Sequence, residues 1–207
     1  MSSTMLLPEL TSLPEKRAGI FSRQMTRLNT LWVTKTYPFA GTGRDLRLHP
    51  MCEIARQLAP SIWLGNRVEI GKHSWLTLWI VRGRRIVIED DCRIGKRCTL
   101  SAENSVHLER GVVLESDVLV MDHAHAYEDI RQSIKFQGAT LGGTIRIEEG
   151  CRIGQGAAIL CDKGELRLGR NCVVAPGSVV TRSFPANSVI SGNLARITAP
   201  CDSASAV

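Results

Sequence analysis

Ile86-Val-Ile-Glu-Asp-Asp-Cys92-Arg-Ile94 can be laid residue for residue over three other stretches: Leu46-Arg-Leu-His-Pro-Met-Cys52-Glu-Ile54, Ile145-Arg-Ile-Glu-Glu-Gly-Cys151-Arg-Ile153 and Leu166-Arg-Leu-Gly-Arg-Asn-Cys172-Val-Val174. In each, an aliphatic returns six positions after the second aliphatic, and a Cys sits four positions after it. A short period held along a chain marks a β-solenoid, in which each repeat is one strand stacked on its counterparts. Working outward, the same slot falls on Leu64, Ile70 and Leu76, then Ile88, Ile94 and Leu100, then Leu108, Leu114 and Val120. It resumes at Ile147, Ile153 and Ile159 and closes with Leu168, Val174 and Val180. Three hexads make one triangular turn of about eighteen residues, with these side chains pointing inward. Each buried aliphatic contributes roughly 1.5–3 kcal/mol, so the column is the main source of stability. The fold class is therefore all-β, a parallel β-helix over residues 46–186.

The period fails in three places. Residues 1–45 lack it; within them Phe21 to Trp32 suits a short amphipathic helix, and Tyr37-Pro38-Phe39-Ala40-Gly41 reads as a turn into the first coil. Residues 122–143 separate Val120 from Ile145, a loop ejected from one corner of the prism. Loops of this length inside a compact repeat are usually functional. After Phe184-Pro185 the hexads stop, and 187–207, rich in Ala and Ser, reads as a loose tail.

Composition bounds the function. With 43% hydrophobic and 22% charged residues, 18 glycines and a formal charge of +6, the chain is globular and moderately basic. Such a charge attracts phosphate-rich small molecules, acidic glycans or nucleic acid, but no basic block interleaved with aromatics supports the last. The longest apolar run, Trp75 to Val81, is far short of a membrane span. Met1 to Leu13 lacks the basic start and sustained apolar core of a secretory signal, so a cytoplasmic, reduced setting is expected. Of the seven cysteines, Cys52, Cys92, Cys98, Cys151 and Cys172 share the slot that Ala157 and Ser178 occupy in sister hexads. They read as small interior fillers rather than a metal cluster, and no CxxC is present.

The ejected loop opens Met121-Asp122-His123-Ala124-His125-Ala126-Tyr127-Glu128-Asp129. A polar loop of this kind can be no more than solvated surface. Here two histidines, several carboxylates and a Tyr coincide with the large interruption of a rigid scaffold. A His near its ordinary pKa takes a proton from a hydroxyl at neutral pH, and a carboxylate fixes its tautomer. Asp122, His123, His125 and Asp129 are the catalytic candidates.

The hexads, the Asp122–Asp129 segment, Gln137-Gly138 and the closing Val180-Thr181-Arg182 … Gly192-Asn193-Leu194-Ala195-Arg196 together resemble the hexapeptide-repeat acyltransferases, and among them the acetyltransferases of O-antigen, colanic acid and related exopolysaccharides. The resemblance covers about 37–197. It implies a left-handed helix, a homotrimer, acetyl-coenzyme A as donor, no metal, and a site in the cleft between subunits. Carried over, His123 is the base and His125 the second choice. The donor would meet Gln155, Gly156, Ala157, Pro176 and Gly177, with Thr181 and Arg182 beside the adenine ribose and Arg196 by its phosphate. Tyr127 and Gln137 fall in the acceptor region. Leu194 replaces the family's usual Pro, and Ala124 and Phe136 also depart from its pattern, pointing to an atypical acceptor.

The expected reaction is direct acetyl transfer to a hydroxyl of a saccharide or sugar-containing acceptor, or alternatively to a sugar amine. Cys161, off the shared register, is a weaker candidate as an acyl-carrying nucleophile. A rival on the same scaffold is a carbonic-anhydrase-like metal enzyme using His73, His107, His123 and His125. Against it, His123 and His125 are close in sequence, and His107 lies between two inward positions and so faces out. A catalytically inert scaffold is the third reading.

Overall fold

The first position of every hexad points into the prism. Leu64, Leu76, Ile88, Leu100, Leu108, Val120, Ile147, Ile153, Ile159, Leu168 and Val180 are completely shielded from solvent, and Ile70, Ile94, Leu114 and Val174 nearly so. The computed structural model describes residues 15–78 and 86–200; residues 1–14, 79–85 and 201–207, including part of the Trp75–Val81 run and the end of the tail, lie outside it.

Three parallel faces enclose this column. The first stacks Gly41–Thr42, Ile62–Leu64, Ile86–Ile88, Ser105–Leu108, Thr144–Ile147 and Glu165–Leu168. The second stacks Arg47–Leu48, Glu69–Ile70, Arg93–Ile94, Val113–Leu114, Arg152–Ile153, Val173–Val174 and Ser188–Ser191. The third stacks Glu53–Ile54, Trp75–Leu78, Thr99–Ala102, Leu119–Met121, Ala158–Leu160 and Val179–Val180. Register is held from coil to coil: Ile88 pairs with Leu108, Leu108 with Ile147, and Ile147 with Leu168. The winding is that of a left-handed parallel β-helix, against the usual right-handed crossover.

Many of the corners turn on a residue at positive φ, and these residues also stack. Arg67, Asp91, Gly111, Gly150 and Asn171 occupy one such column. The amide of Gly111 donates to Asp90 of the preceding coil at 2.9 Å, and that of Gly150 to Arg110 at 3.1 Å. Corner chemistry and coil stacking are thus one hydrogen-bond system.

Strand pairing extends beyond the hexads on both sides. Gly41–Thr42 already pairs with Trp63 and Leu64. Ser188–Ser191 continues the second face in parallel, and Arg196–Pro200 folds back antiparallel on it. The segment expected as a loose tail is therefore ordered as far as 200, because a solenoid's last coil presents open backbone that a returning strand satisfies. At the other end, α1 (Glu15–Thr36) is longer than the helix expected over Phe21 to Trp32. Its Thr30 hydroxyl accepts the Leu48 amide at 2.9 Å, and Asn29 donates to the Leu48 carbonyl at 3.0 Å. The helix thereby covers the open edge of the first coil.

Cys92, Cys98, Cys151 and Cys172 fill the interior slot as expected, each buried. Each thiol donates to a backbone carbonyl in the next coil: Cys92 to Glu109 at 3.0 Å, Cys98 to Glu115 at 2.9 Å, Cys151 to Gly169 and Cys172 to Pro185, both at 3.1 Å. Cys52 departs from the expectation and is only half-buried. It lies in the first coil, with no complete turn beneath it. Burial pushes the Cys52 thiol up to about 11 and that of Cys92 up to about 12. Because those four are shielded from solvent, a thiol reagent at pH 8 should leave Cys92, Cys98, Cys151 and Cys172 unmodified in the native protein, with the more accessible Cys52 reacting before any of them. Mass spectrometry after brief labelling checks this; rapid modification of all four would contradict the interior register.

Candidate active site

The ejected loop begins where the third face ends at Met121 and returns to the first face at Thr144. At this corner the preceding coil turns tightly through Glu103 and Asn104 into Ser105, leaving three amides that point at the next coil. Asp122 meets them all. Its carboxylate accepts the amides of Glu103 at 2.7 Å, Asn104 at 2.8 Å and Ser105 at 2.7 Å. The side chain is fully buried. A buried carboxylate is tolerated when such a set of donors replaces water.

His123 adds a fourth contact. It is 6% exposed, and its Nδ1 lies 3.0 Å from Asp122 Oδ1. Both carboxylate oxygens already accept backbone N–H groups, so the ring nitrogen is the donor of this pair. That assigns the proton to Nδ1 and makes Nε2 the acceptor nitrogen of the ring. Ser101, on the third face one coil earlier, sets its Oγ 3.5 Å from that Nε2. Ser101 escaped the sequence reading because it has no motif; it faces out from its strand, and only stacking brings it under the loop. Glu103 was missed for the same reason. Its Oε2 is buried without a hydrogen-bond partner among the described residues.

The rest of the loop folds back on itself as a short hairpin. Thr140 donates to the Ala124 carbonyl at 2.8 Å, and Ala126 to the Gly138 carbonyl at 3.0 Å. His125 bridges to Ala139 on this hairpin and is exposed, unlike His123. Asp129 organises the loop tip: its carboxylate accepts the Arg131 amide at 2.9 Å, and its own amide donates to Gln137 Oε1 at 3.1 Å. Gln137 in turn donates to the carbonyls of Asp129 and Gln132, each at 2.8 Å. The Gln137 side chain thus holds the Asp129 backbone, and of the two candidate aspartates Asp122 is the one set against a histidine. Tyr127 is exposed on the outgoing limb.

The remaining candidates separate by corner. In strand register Met121 pairs with Leu160, and Ile159 with Val180, so Asp122, Cys161 and Arg182 stack along the corner that bears the loop. At about 4.8 Å per coil, Thr181 and Arg182 lie on the order of 10 Å from the His123 backbone. Both are exposed, and the Arg182 guanidinium lies over the Phe184 ring at 5.2 Å. Gln155, Gly156, Pro176 and Gly177 occupy the opposite edge of the third face. Gly156 and Gly177 are at positive φ, with nothing within 4 Å of where a Cβ would sit, so the backbone there is open to a ligand. Ala157 is an interior filler, so only its backbone is available. Arg196 lies on the closing strand of the second face, exposed. A single subunit does not gather these donor candidates around His123.

Cys161 is buried, donates to the Lys163 carbonyl at 3.3 Å, and burial pushes its thiol up. A neutral, shielded thiol is a poor nucleophile. The histidines of the metal reading are dispersed within the subunit. His107 faces out beside Glu89 at 2.8 Å, His73 stands exposed at a positive-φ corner, and no group of three His, Cys, Asp or Glu suited to a metal occurs among the described residues.

Over residues 85–120 and 144–182, on either side of the ejected loop, the chain matches the family described as the hexapeptide repeat of succinyl-transferase. The hexads on either side of the loop are thus similar to those of the hexapeptide-repeat acyltransferases. Among curated relatives, serine acetyltransferase of Escherichia coli strain K12 is 29% identical over 149 residues, 68% of this chain and 48% of that protein. The chain spans about half the length of the curated relatives it matches. Among solved structures, a mutant of AntD, an N-acyltransferase from Bacillus cereus in complex with dTDP-4-amino-4,6-dideoxyglucose and coenzyme A, superimposes with a TM-score of 0.70. It covers 84% of this chain and 89% of that one at 16% identity. A galactoside acetyltransferase in complex with coenzyme A gives a TM-score of 0.53 over 92% of this chain and 86% of that one, also at 16% identity. At these identities the structural likeness is one of fold, and the chemistry of this chain rests on its corner residues.

Asp122→Ala should be far more damaging than an average surface change. It strips the acceptor from three amides and from the His123 ring, a loss of about 3–5 kcal/mol for a broken buried charged network. Chemical denaturation checks it; a variant as stable as the parent would show that water replaces the carboxylate at this corner.

Proposed function

We propose that this chain is an acetyl-coenzyme A-dependent acetyltransferase acting on a hydroxyl of a saccharide or sugar-containing acceptor, with His123 as general base. The observation that carries the reading is the Asp122–His123 pair: a buried imidazole held by a carboxylate through Nδ1, with Nε2 directed to the third face beside Ser101. The comparisons support acyl transfer from a coenzyme A thioester, since coenzyme A is named with both structural neighbours and acetyl transfer with the curated relatives.

In the proposed reaction Nε2 takes the proton of the acceptor hydroxyl as its oxygen attacks the thioester carbonyl carbon. The tetrahedral oxyanion is held by N–H donors at the site. When the carbon–sulfur bond breaks, the imidazolium returns the proton to the departing thiolate. Asp122 keeps hold of the Nδ1–H and stabilises the imidazolium. No covalent enzyme intermediate is needed, in keeping with a shielded Cys161. The buried Glu103 Oε2 suits an acceptor that brings its own donors, as a sugar does. The same geometry would serve a sugar amine, and AntD, an N-acyltransferase, keeps that second reading alive.

The donor would lie along the third face, whose outward side chains include Trp75, Leu119, Met121, Ala158, Leu160 and Val179. A face this apolar, together with exposed Ile130, Phe136 and Leu141 on the loop, supports a homotrimer in which one subunit's loop meets the neighbour's coil corners. Gln155, Gly156 and Pro176 of one chain and His123 of another would then form one cleft. We place this enzyme in the cytoplasm, where its donor is made.

His123→Ala should lower turnover by roughly 10²–10⁴-fold with the fold intact, and His125→Ala should do less. The readout is thiol release from acetyl-coenzyme A against a panel of sugars and nucleotide-sugars, repeated after exhaustive chelation, which should change nothing. The reverse ordering of the two variants would move the base to His125. Activity lost on chelation and restored by zinc would favour the metal enzyme.

Removal of the Arg182 or Arg196 guanidinium should raise the donor KM about ten- to a hundredfold with turnover largely kept, as for a charge-assisted phosphate contact remote from the reacting carbon. Steady-state kinetics with acetyl-coenzyme A varied checks it; an unchanged KM in both variants would remove the closing segment from the donor site.

A further inference from the structure

Helix α1 is turned the opposite way from a helix that merely covers a core. The side it lays on the solenoid carries Thr26, Asn29, Thr30 and Val33, with Thr30 and Val33 buried. Its outward side carries Met25, Leu28, Leu31 and Trp32, spaced as one helical stripe. Leu28 is 63% and Trp32 60% exposed. An amphipathic helix normally buries its apolar stripe. Here Val33 and small polar residues make the intramolecular contact, and the larger apolar stripe is left outside.

Basic side chains stand next to the stripe. A groove of about 820 Å³ between α1 and the first coils is lined by Arg27, Thr34, Arg47 and Arg67, with Leu31 on its rim. An adjoining hollow is lined by Arg23, Arg27, Arg47 and His49, and a third by His49, Lys72, Arg93 and Lys96. Asp45 and Glu69 are the carboxylates along this track, and Arg67 is ion-paired with Asp91. The cations outnumber them, and the field is felt by His49, whose pKa is lowered by burial and then by Lys72, His73 and Lys96. Leu31 belongs to both features, so stripe and basic track form one continuous surface.

We propose that this surface docks the protein on an anionic lipid membrane, α1 lying in the interface plane. An exposed Trp, three long apolar side chains and flanking arginines are what the headgroup–acyl boundary selects. Charge complementarity favours this occupant over a second copy of the chain, whose own basic track would face like charge. No helix among the described residues is long and apolar enough to cross a membrane, so the contact is peripheral. The proposal is independent of the acyl-transfer reading.

The test is co-sedimentation of the full chain with vesicles of phosphatidylcholine alone or with about one-third phosphatidylglycerol, at low and high salt. Binding is expected to the anionic vesicles only and to weaken with salt. Arg27→Glu with Arg47→Glu should weaken it on the order of 25-fold or more, at about fivefold for each cation lost. Leu28→Ser with Trp32→Ser should weaken it at least about tenfold. Both altered pairs are exposed, so unchanged thermal unfolding is expected and separates lost docking from lost fold. Three results would overturn the proposal: no binding to anionic vesicles; equal binding by the Leu28/Trp32 variant; or a smaller assembly for that variant in sedimentation velocity, which would give the stripe to a second copy. Binding of inorganic polyphosphate with no vesicle binding would likewise reassign the track to a soluble anion.

Discussion

Each coil of this molecule must lie on the next in unchanged register, because inward aliphatics and inter-coil hydrogen bonds are satisfied together or not at all. Leu108 is shielded only if Ile88 sits below it and Ile147 above, and those same pairings align the strand amides and carbonyls. A slip of one residue would turn the aliphatic column out to water. An insertion is therefore tolerable only where the chain leaves one face before entering the next, and even there the ends of the inserted loop must meet the stack in register.

The corner between the third and first faces shows how that constraint produces a site. Residues 122–143 leave and return so that Gly143 donates to the Asp122 carbonyl at 2.6 Å, closing the loop at its base. Gly143 can be nothing larger, since a Cβ there would lie 2.5 Å from Cys161 Sγ. The Asp122 carboxylate turns back to hold the coil before it. A group needed to finish the corner thus also fixes the imidazole that follows it in sequence, and structural and chemical roles fall on one residue. In the proposed reaction a substitution at Asp122 is read in stability and in turnover at once, whereas His123 can be changed with much less effect on the stack.

The two ends of the solenoid solve the same problem differently. At the C-terminal end the chain's own returning strand pairs with the last coil. At the N-terminal end a helix supplies side-chain hydrogen bonds from Asn29 and Thr30 to a single residue of the first coil, Leu48. Spending the polar side of the helix on that edge is what leaves Met25, Leu28, Leu31 and Trp32 facing out.

Most of the fold was legible in the chain itself. A six-residue spacing of aliphatics names the inward positions without reference to anything distant, and the interior Cys slot and the limits of the ejected loop follow from it. The Asp122-His123 pair was legible for the same reason, being adjacent in sequence and placed at the break in the period. Other features depend on residues about one coil or more apart in sequence, which no local pattern relates. Stacking decided that Asp122 would gather the amides of Glu103, Asn104 and Ser105, that Ser101 would lie under His123, and that Asp129 would serve the loop tip instead of an imidazole. It also decided that Cys52, with no complete coil beneath it, would be half-exposed, and that α1 would turn its apolar stripe away from the body of the protein. Sequence periodicity specifies which way a side chain points; only the closed stack specifies what it meets there.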